Sequence, residues 1–181
     1  LRPAARIARA LAEALGPCEV ALTASAVGLD VAVTASSTRR AGLALGMGAH
    51  VFIDPADASP AAVEAALGGS PDIVYECVGK PGLIQRCIEY VRPRGTIVVL
   101  GLCTPPDTFM PFHLVSKELV IQGSAFYEVR DFEQAAEVLD HEGDAPRAMV
   151  TDRIGLDALP EVFEALRQRS TQCKVLVDPF A

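Results

Sequence analysis

Short apolar, β-rich runs alternate with helix-period stretches along most of this chain, and that alternation constrains its fold more than any other feature. Asp30–Thr34 is followed by the helical stretch Thr38–Gly48, which ends in glycines, and then by the run His50–Ile53. Ser59–Leu67 reads as a helix, with Ser59-Pro60 as its start signal. Asp72–Cys77 is a strand with a nearly continuous apolar run, and Pro81–Val91 is a helix. Thr96–Leu102 and Leu119–Ser124 read as strands, and Asp131–His141 as a helix capped by Asp131. A helix over Leu159–Gln168 and a last strand over Lys174–Val177 complete the pattern. Strands that are apolar on both faces need cover on both faces, and strands that alternate with helices are joined by crossovers. The pattern predicts an α/β fold with a doubly wound, mostly parallel sheet and helices on both faces. Its 181 residues suit one such domain, residues 1–181, with a core of its own.

The first 36 residues fit this scheme less well. Ile7, Leu11 and Leu15 form one stripe at helical spacing, so Arg6–Leu15 reads as an amphipathic helix ended by Gly16-Pro17. Glu19–Ala24 is a second short apolar run, and VALTAS (Val20–Ser25) nearly repeats as VAVTAS (Val31–Ser36). A parallel crossover needs at least roughly 10–12 residues. The two runs lie too close for one. Either they form a hairpin, or one of them is outside the sheet, or the crossover has been lost.

Composition narrows the partners. A net charge of −7 and a pI near 4.9 argue against nucleic acid, because phosphate-backbone binding wants a basic face. No apolar run approaches the roughly 18–20 residues of a membrane helix. The start, Leu1-Arg2-Pro3-Ala4, lacks the separate apolar block of a signal peptide and lacks Met, as an excised piece of a longer protein would. The five cysteines (Cys18, Cys77, Cys87, Cys103, Cys173) are scattered without C-x-x-C spacing. They read as free thiols in a cytoplasmic protein rather than a disulfide framework or a zinc site. His50, His113 and His141 are equally dispersed, and no metal-ligand spacing is visible.

From Asp30 onward the chain resembles the nucleotide-binding half of the medium-chain dehydrogenase/reductase family, the zinc-type alcohol, polyol and threonine dehydrogenases. STRRAGLALGMGAHVFIDP (Ser37–Pro55), GGSPDIVYECVGKPG (Gly68–Gly82) and VRPRGTIVVLGL (Val91–Leu102) carry the likeness, in the family's order. KELVIQGSAFYEVRDFEQAAEVL (Lys117–Leu139) and QCKVLVDP (Gln172–Pro179) extend it to the closing elements. The resemblance implies a Rossmann-like fold, and hydride transfer between NAD(P) and an alcohol or carbonyl by the intact enzyme. Two departures stand out. The family's catalytic domain, which supplies the zinc ligands, is missing, so no zinc is expected here. The glycine-rich phosphate turn is not intact either: Thr23–Gly28 sits where a G-x-G-x-x-G would follow a strand, and only Gly28 is kept. In an alternative register Arg6–Leu15 is the first Rossmann helix, Glu19–Ala24 the second strand, and the fingerprint lies upstream of Leu1.

Within that resemblance, an NAD-preferring site places an acid after the second strand. Here the stretch is Ser36-Ser37-Thr38-Arg39-Arg40, hydroxyls and two arginines with no carboxylate. A 2′-phosphate needs such donors, so NADP is the expected cofactor, with NAD as the other candidate. The plainer reading is a solvated first helical turn, although cations near a helix N-terminus are unfavourable. Ligands of open α/β sheets sit at the carboxyl ends of strands. The resemblance therefore places Cys77-Val78-Gly79, Gly101-Leu102 and Ser124-Ala125-Phe126 along the ribose and nicotinamide, although small residues also simply close tight turns. Cys77 and Cys103 read rather as buried core thiols. Glu76, inside an apolar strand, must be paired or face the cleft. His113 is a candidate base on paper, but its segment resembles the family's dimer edge. No catalytic residue is assigned. Tyr127 and Lys117 lack Y-x-x-x-K spacing, and no P-loop is present. The Pro-rich segment Cys103–Phe112 and the strand Leu119–Ser124 resemble elements that meet their copies across a two-fold, so a homodimer is expected. The rival is a non-catalytic or degenerate dinucleotide-binding or dimerising module. A methyltransferase reading fails for want of a G-x-G-x-G loop and an acid after the second strand.

Overall fold

The computed structural model describes residues 9–14, 30–35, 38–126, 128–141, 146–167 and 172–180. Strand β1 is Arg9–Ala14 and β2 Asp30–Ala35. A 3-10 turn at Thr38–Arg40 leads into helix α1, Ala41–Gly46. Then follow β3 (Val51–Ile53), α2 (Pro60–Leu67), β4 (Ile73–Cys77), α3 (Leu83–Tyr90) and β5 (Thr96–Val99). Helix α4 (Pro111–Ser116), β6 (Val120–Gly123) and α5 (Val129–His141) come next. The chain closes with β7 (Val150–Gly155), α6 (Leu159–Ala165) and β8 (Lys174–Asp178). Six strands form one sheet in the order β3-β2-β1-β4-β5-β6, every pair parallel, and β7 and β8 make a separate parallel pair. This is the doubly wound order, with its switch point between β1 and β4.

Around β2–β4 the sheet is covered on both faces, as apolar strands of this kind require, whereas β6 is exposed along its length. Successive residues of β2 point to opposite sides. Ala32 joins Ile53, Val63, Val74, Ile88 and Ile97 under α2 and α3. Val31 and Val33 join Ala44, Met47 and Ala49 on the other face, where Met149 and the half-buried Cys173 bring the β7–β8 segment against the same cluster.

Local chemistry fixes the helix ends. Ser59 Oγ accepts from the Ala62 amide (3.2 Å) ahead of Pro60, and Gly68 closes α2 in the left-handed region at φ 67°. The C-terminal carbonyls of α3 are satisfied from a distance. Lys117 Nζ donates to the Ile88, Glu89 and Val91 oxygens at 2.7, 3.1 and 2.9 Å. Burial pushes the Lys117 amine below the ordinary lysine value, and the Glu89 and Glu64 carboxylates only partly offset that.

Three expectations need correction. Arg6–Leu15 is not a helix: Arg9–Ala14 is the central strand, pairing with β2 from Arg9↔Asp30 to Ala14↔Ala35 and with β4 from Ala10↔Ile73 to Ala14↔Cys77. Helix propensity is a weak preference, and a slot between two strands gives the backbone partners on both sides. The alternative register of the glycine turn does not hold, because Arg9–Ala14 is the strand beside β2 and a connection leads from it to β2. Residues 15–29 of that connection, with Glu19–Ala24 and Thr23–Gly28, lie outside the described residues; in sequence they hold Gly16, Gly28 and no G-x-G-x-x-G. Both flanks of β2 are taken by β1 and β3, which answers how VAVTAS is paired. Finally, α5 begins at Val129, so Asp131 is not its cap. It lies in the first turn and its carboxylate accepts from the Glu128 amide at 2.7 Å. Helix α4 and strand β7 add to the expected elements, and the Cys103–Phe112 segment runs into the start of α4 at Pro111.

Candidate functional site

The carboxyl ends of β4 and β5 lie beside the switch point, and the turns that leave them touch backbone to backbone. Gly79 sits at φ 70°, and a Cβ there would lie 2.6 Å from Leu102 N and 2.8 Å from Gly101 C. A Cβ on Gly101 would fall on the Gly79 backbone and 2.6 Å from Glu76 Oε2. Only glycine permits this approach at both positions.

Glu76 organises the junction. It is 2% exposed, and its Oε1 accepts from the Val78 and Gly79 amides at 2.7 and 2.8 Å. Its backbone oxygen accepts from Leu100 and Gly101 at 2.8 and 3.0 Å. One residue therefore holds both turns, and the buried carboxylate is satisfied inside the chain. The expectation of a paired, structural acid at this place holds.

The remaining sequence-derived candidates are distributed around this edge. Cys77 ends β4 with its side chain partly buried; Val78 is half-buried and Leu102 is exposed. Ser124 N donates to Val99 O (2.9 Å), and Ala125 and Phe126 follow it, exposed, just past β6. Ser36 and Ser37 lie outside the described residues, as does Tyr127. Arg39 is exposed in the 3-10 turn after β2. Arg40 Nη2 donates to the Gln172 carbonyl at 2.6 Å, and Gln172 Nε2 in turn donates to Asp152 Oδ2 at 2.9 Å. Arg40 thus ties the β2 turn to the segment between β7 and β8.

Two features escaped the sequence reading. Asp107 Oδ1 accepts from the Gly82 and Thr108 amides (2.6 and 2.8 Å), which pins the Pro-rich segment to the start of α3. Gln85 Oε1 accepts from the Met110 amide at 2.9 Å and fixes the far end of the same segment. Neither carries a sequence signal, because each joins residues 25 apart through a side chain. Partial burial first, then the Asp107 and Glu76 carboxylates, push the Cys103 thiol up. His113 lines a shallow depression of about 390 Å³ with Gln85 and Thr108–Met110, its ring edge-on to Phe112. None of those residues belongs to the turns after β4 and β5.

Among the described residues Cys77, Cys87, Cys103 and Cys173 are free thiols, and no three His, Cys, Asp or Glu come together as metal ligands. No helix among them is long and apolar enough to cross a membrane.

Known proteins share this arrangement. Sorbitol dehydrogenase of Macaca fascicularis is 30% identical over 167 residues, 88% of this chain and 46% of that protein. The crystal structure of 2R,3R-butanediol dehydrogenase from Bacillus subtilis superposes with a TM-score of 0.82 at 28% identity, over 95% of this chain and 51% of that one. A zinc-binding dehydrogenase from Sinorhizobium meliloti 1021, solved bound to NADP, gives 0.81 at 25% identity over 95% and 52%. The chain spans about half the length of the relatives it matches. The family model described as "Zinc-binding dehydrogenase" matches residues 14–141, from the end of the central strand through α5. By that match over most of its length, the chain belongs to the zinc-binding dehydrogenase family.

Proposed function

We propose that this chain is the dinucleotide-binding portion of an alcohol dehydrogenase-like oxidoreductase, and that residues 1–181 act as one Rossmann-type unit. The observation that carries this is the pair of glycine turns after β4 and β5, closed on each other at the switch-point edge of a 3-2-1-4-5-6 sheet. The two turns close backbone to backbone and form the rim at the carboxyl end of the sheet, where ligands of open α/β sheets bind. The residues fit a nicotinamide dinucleotide: Cys77, Val78, Gly79, Gly101, Leu102, Ser124, Ala125 and Phe126 line the ribose and nicotinamide, and Ser36, Ser37, Arg39 and Arg40 receive the adenosine 2′ position. The cofactor is NADP rather than NAD, since Arg39 is exposed and the stretch Ser36–Arg40 carries no carboxylate of its own. The relative solved with NADP supports a nicotinamide dinucleotide as the ligand.

The nicotinamide supplies the hydride chemistry when bound. This chain's own residues bind and orient it. Glu76 sets the turns, Gly79 and Gly101 let them close on each other, and Arg39 meets the phosphate. The described residues do not fit a catalytic zinc, and no step is assigned to one. The chain by itself binds cofactor and does not turn over. NADPH-dependent reduction of an aldehyde by the isolated chain would overturn this. Titrating NADPH and NADH while following nicotinamide fluorescence tests the binding. NADPH binds more tightly, and Arg39→Ala weakens NADPH about tenfold while leaving NADH unchanged. No response to either dinucleotide favours the second reading, a degenerate module. That reading is favoured by one observation, the absence of G-x-G-x-x-G from residues 15–29.

The unit pairs with a second copy through the outer edge of β6 and the 103–112 segment. All four β6 residues are exposed, as are Met110 and Phe112. An uncovered edge strand with apolar neighbours is a template for pairing.

A further inference from the structure

The Val78 and Gly79 amides point successively into one spot at the carboxyl end of β4. Successive backbone amides of this kind form a concavity that binds anions. Here the concavity is already filled, by Glu76 Oε1 at 2.7 and 2.8 Å. The same residue's backbone oxygen holds Leu100 and Gly101, and its Oε2 lies against Gly101 where a Cβ would reach it at 2.6 Å. The two turns are therefore locked from beneath, with no side chain from either turn between them.

We infer that Glu76 is a positioning residue of the ligand site. Its carboxylate takes the two amides that would otherwise attract an anion, holds the β4 turn against the β5 turn, and so reserves this end for the phosphate-free part of the ligand. The inference rests on the dinucleotide reading above. An internal carboxylate at the amides repels a phosphate and leaves the diphosphate to be held elsewhere on the chain. It also keeps Val78–Gly79 and Gly101–Leu102 at a fixed separation, so a planar ring or ribose meets a rigid floor. A satisfied acceptor in a dry site is far more rigid than the same turn bonded to water.

The test compares Glu76→Ala with Glu76→Gln in the full chain. Glutamine keeps a carbonyl oxygen able to accept from both amides; alanine removes it. NADPH and NADH affinities are read by fluorescence titration at a temperature where each variant is folded. Amide exchange at Val78, Gly79 and, as a remote reference, Val33 is read by NMR. Alanine should weaken dinucleotide binding about tenfold and speed exchange at Val78 and Gly79 but not at Val33. Glutamine should restore affinity to within about threefold of the unaltered chain. A folded alanine variant that binds as well as the unaltered chain overturns the inference and leaves the dinucleotide reading standing. So does a glutamine variant as weak as the alanine one. If the alanine variant does not fold, Glu76→Asp replaces it, being one methylene too short to reach both amides; equal affinity of the Asp and Gln variants overturns the inference. An unaltered chain that binds neither dinucleotide removes the reading and the inference together.

Discussion

The β4–β5 junction and the β6–α4 margin lie next to each other in one sheet and are built on opposite principles. At the junction, the residues that join the two turns are small or buried, although Leu102 beside them is exposed. Gly79 and Gly101 meet through their backbones, Glu76 is 2% exposed, and the polar groups that face inward are paired within the chain. At the margin the side chains are large and uncovered: Phe112 and Val115 are about 70% exposed and Val120 is 54% exposed. The first region is finished by the chain itself and has no room for change. The second tolerates change in the isolated chain and asks for cover from outside. Packing is therefore tightest at the junction, and the proposed pairing with a second copy falls at the margin.

The sharpest way to break this contrast is Gly101→Ala. The added methyl falls on Gly79's backbone, which cannot move without releasing Glu76. Urea denaturation should show a loss of about 3 kcal/mol or more, at the top of what overpacking costs. A loss under about 1 kcal/mol, within the ordinary scatter of surface changes, would mean the junction is loose. At the margin, Val120→Lys should leave the melting temperature nearly unchanged while shifting the molecule from dimer to monomer in light scattering, since lysine blunts a pairing edge. A dimer that survives the change would put the interface elsewhere.

Lys117 sits between the two regions, leading from α4 into β6 while capping α3. Lys117→Met removes three donors to buried carbonyls and should cost about 1–3 kcal/mol by urea denaturation. The pH dependence has a definite sign. Because burial lowers the folded-state value, the unfolded chain holds this proton more tightly. The unaltered protein should therefore gain stability over the Met variant as pH rises from neutral through that lowered value toward the ordinary lysine value. The smallest expected effect is Ser59→Ala, about 1 kcal/mol for one lost cap, checked by the same denaturation curves.

Much of the junction is legible in sequence because its signals are local. A strand with a carboxylate inside an apolar run, followed by a glycine two or three residues on, already asks for a partner and a tight turn. Ser59-Pro60 and Gly68 mark α2 for the same reason. What is not legible depends on contacts between distant residues. RALAEA has the spacing of a helix, and only the open slot between β2 and β4 makes it a strand. The triple cap from Lys117, the hold of Asp107 on Gly82 and the use of Arg40 by Gln172 are side-chain contacts across 25 to 132 residues. No pattern in a window of ten residues encodes them. Arg39 and Arg40 looked alike in sequence, yet the fold has given Arg40 a structural bond that a reader of adjacent residues would not assign.

That bond also says something about time. Arg40 and Gln172 are 132 positions apart, so their contact closes a long loop. Closing so long a loop costs entropy that this one contact does not repay, so the contact is expected to form after the rate-limiting step of folding. Arg40→Ala should then speed unfolding in stopped-flow denaturant jumps and leave the refolding limb where it was. A slowed refolding limb would instead make the closing segment part of the nucleus. In the expected case β7 and β8 act as a latch, fastened last and released first.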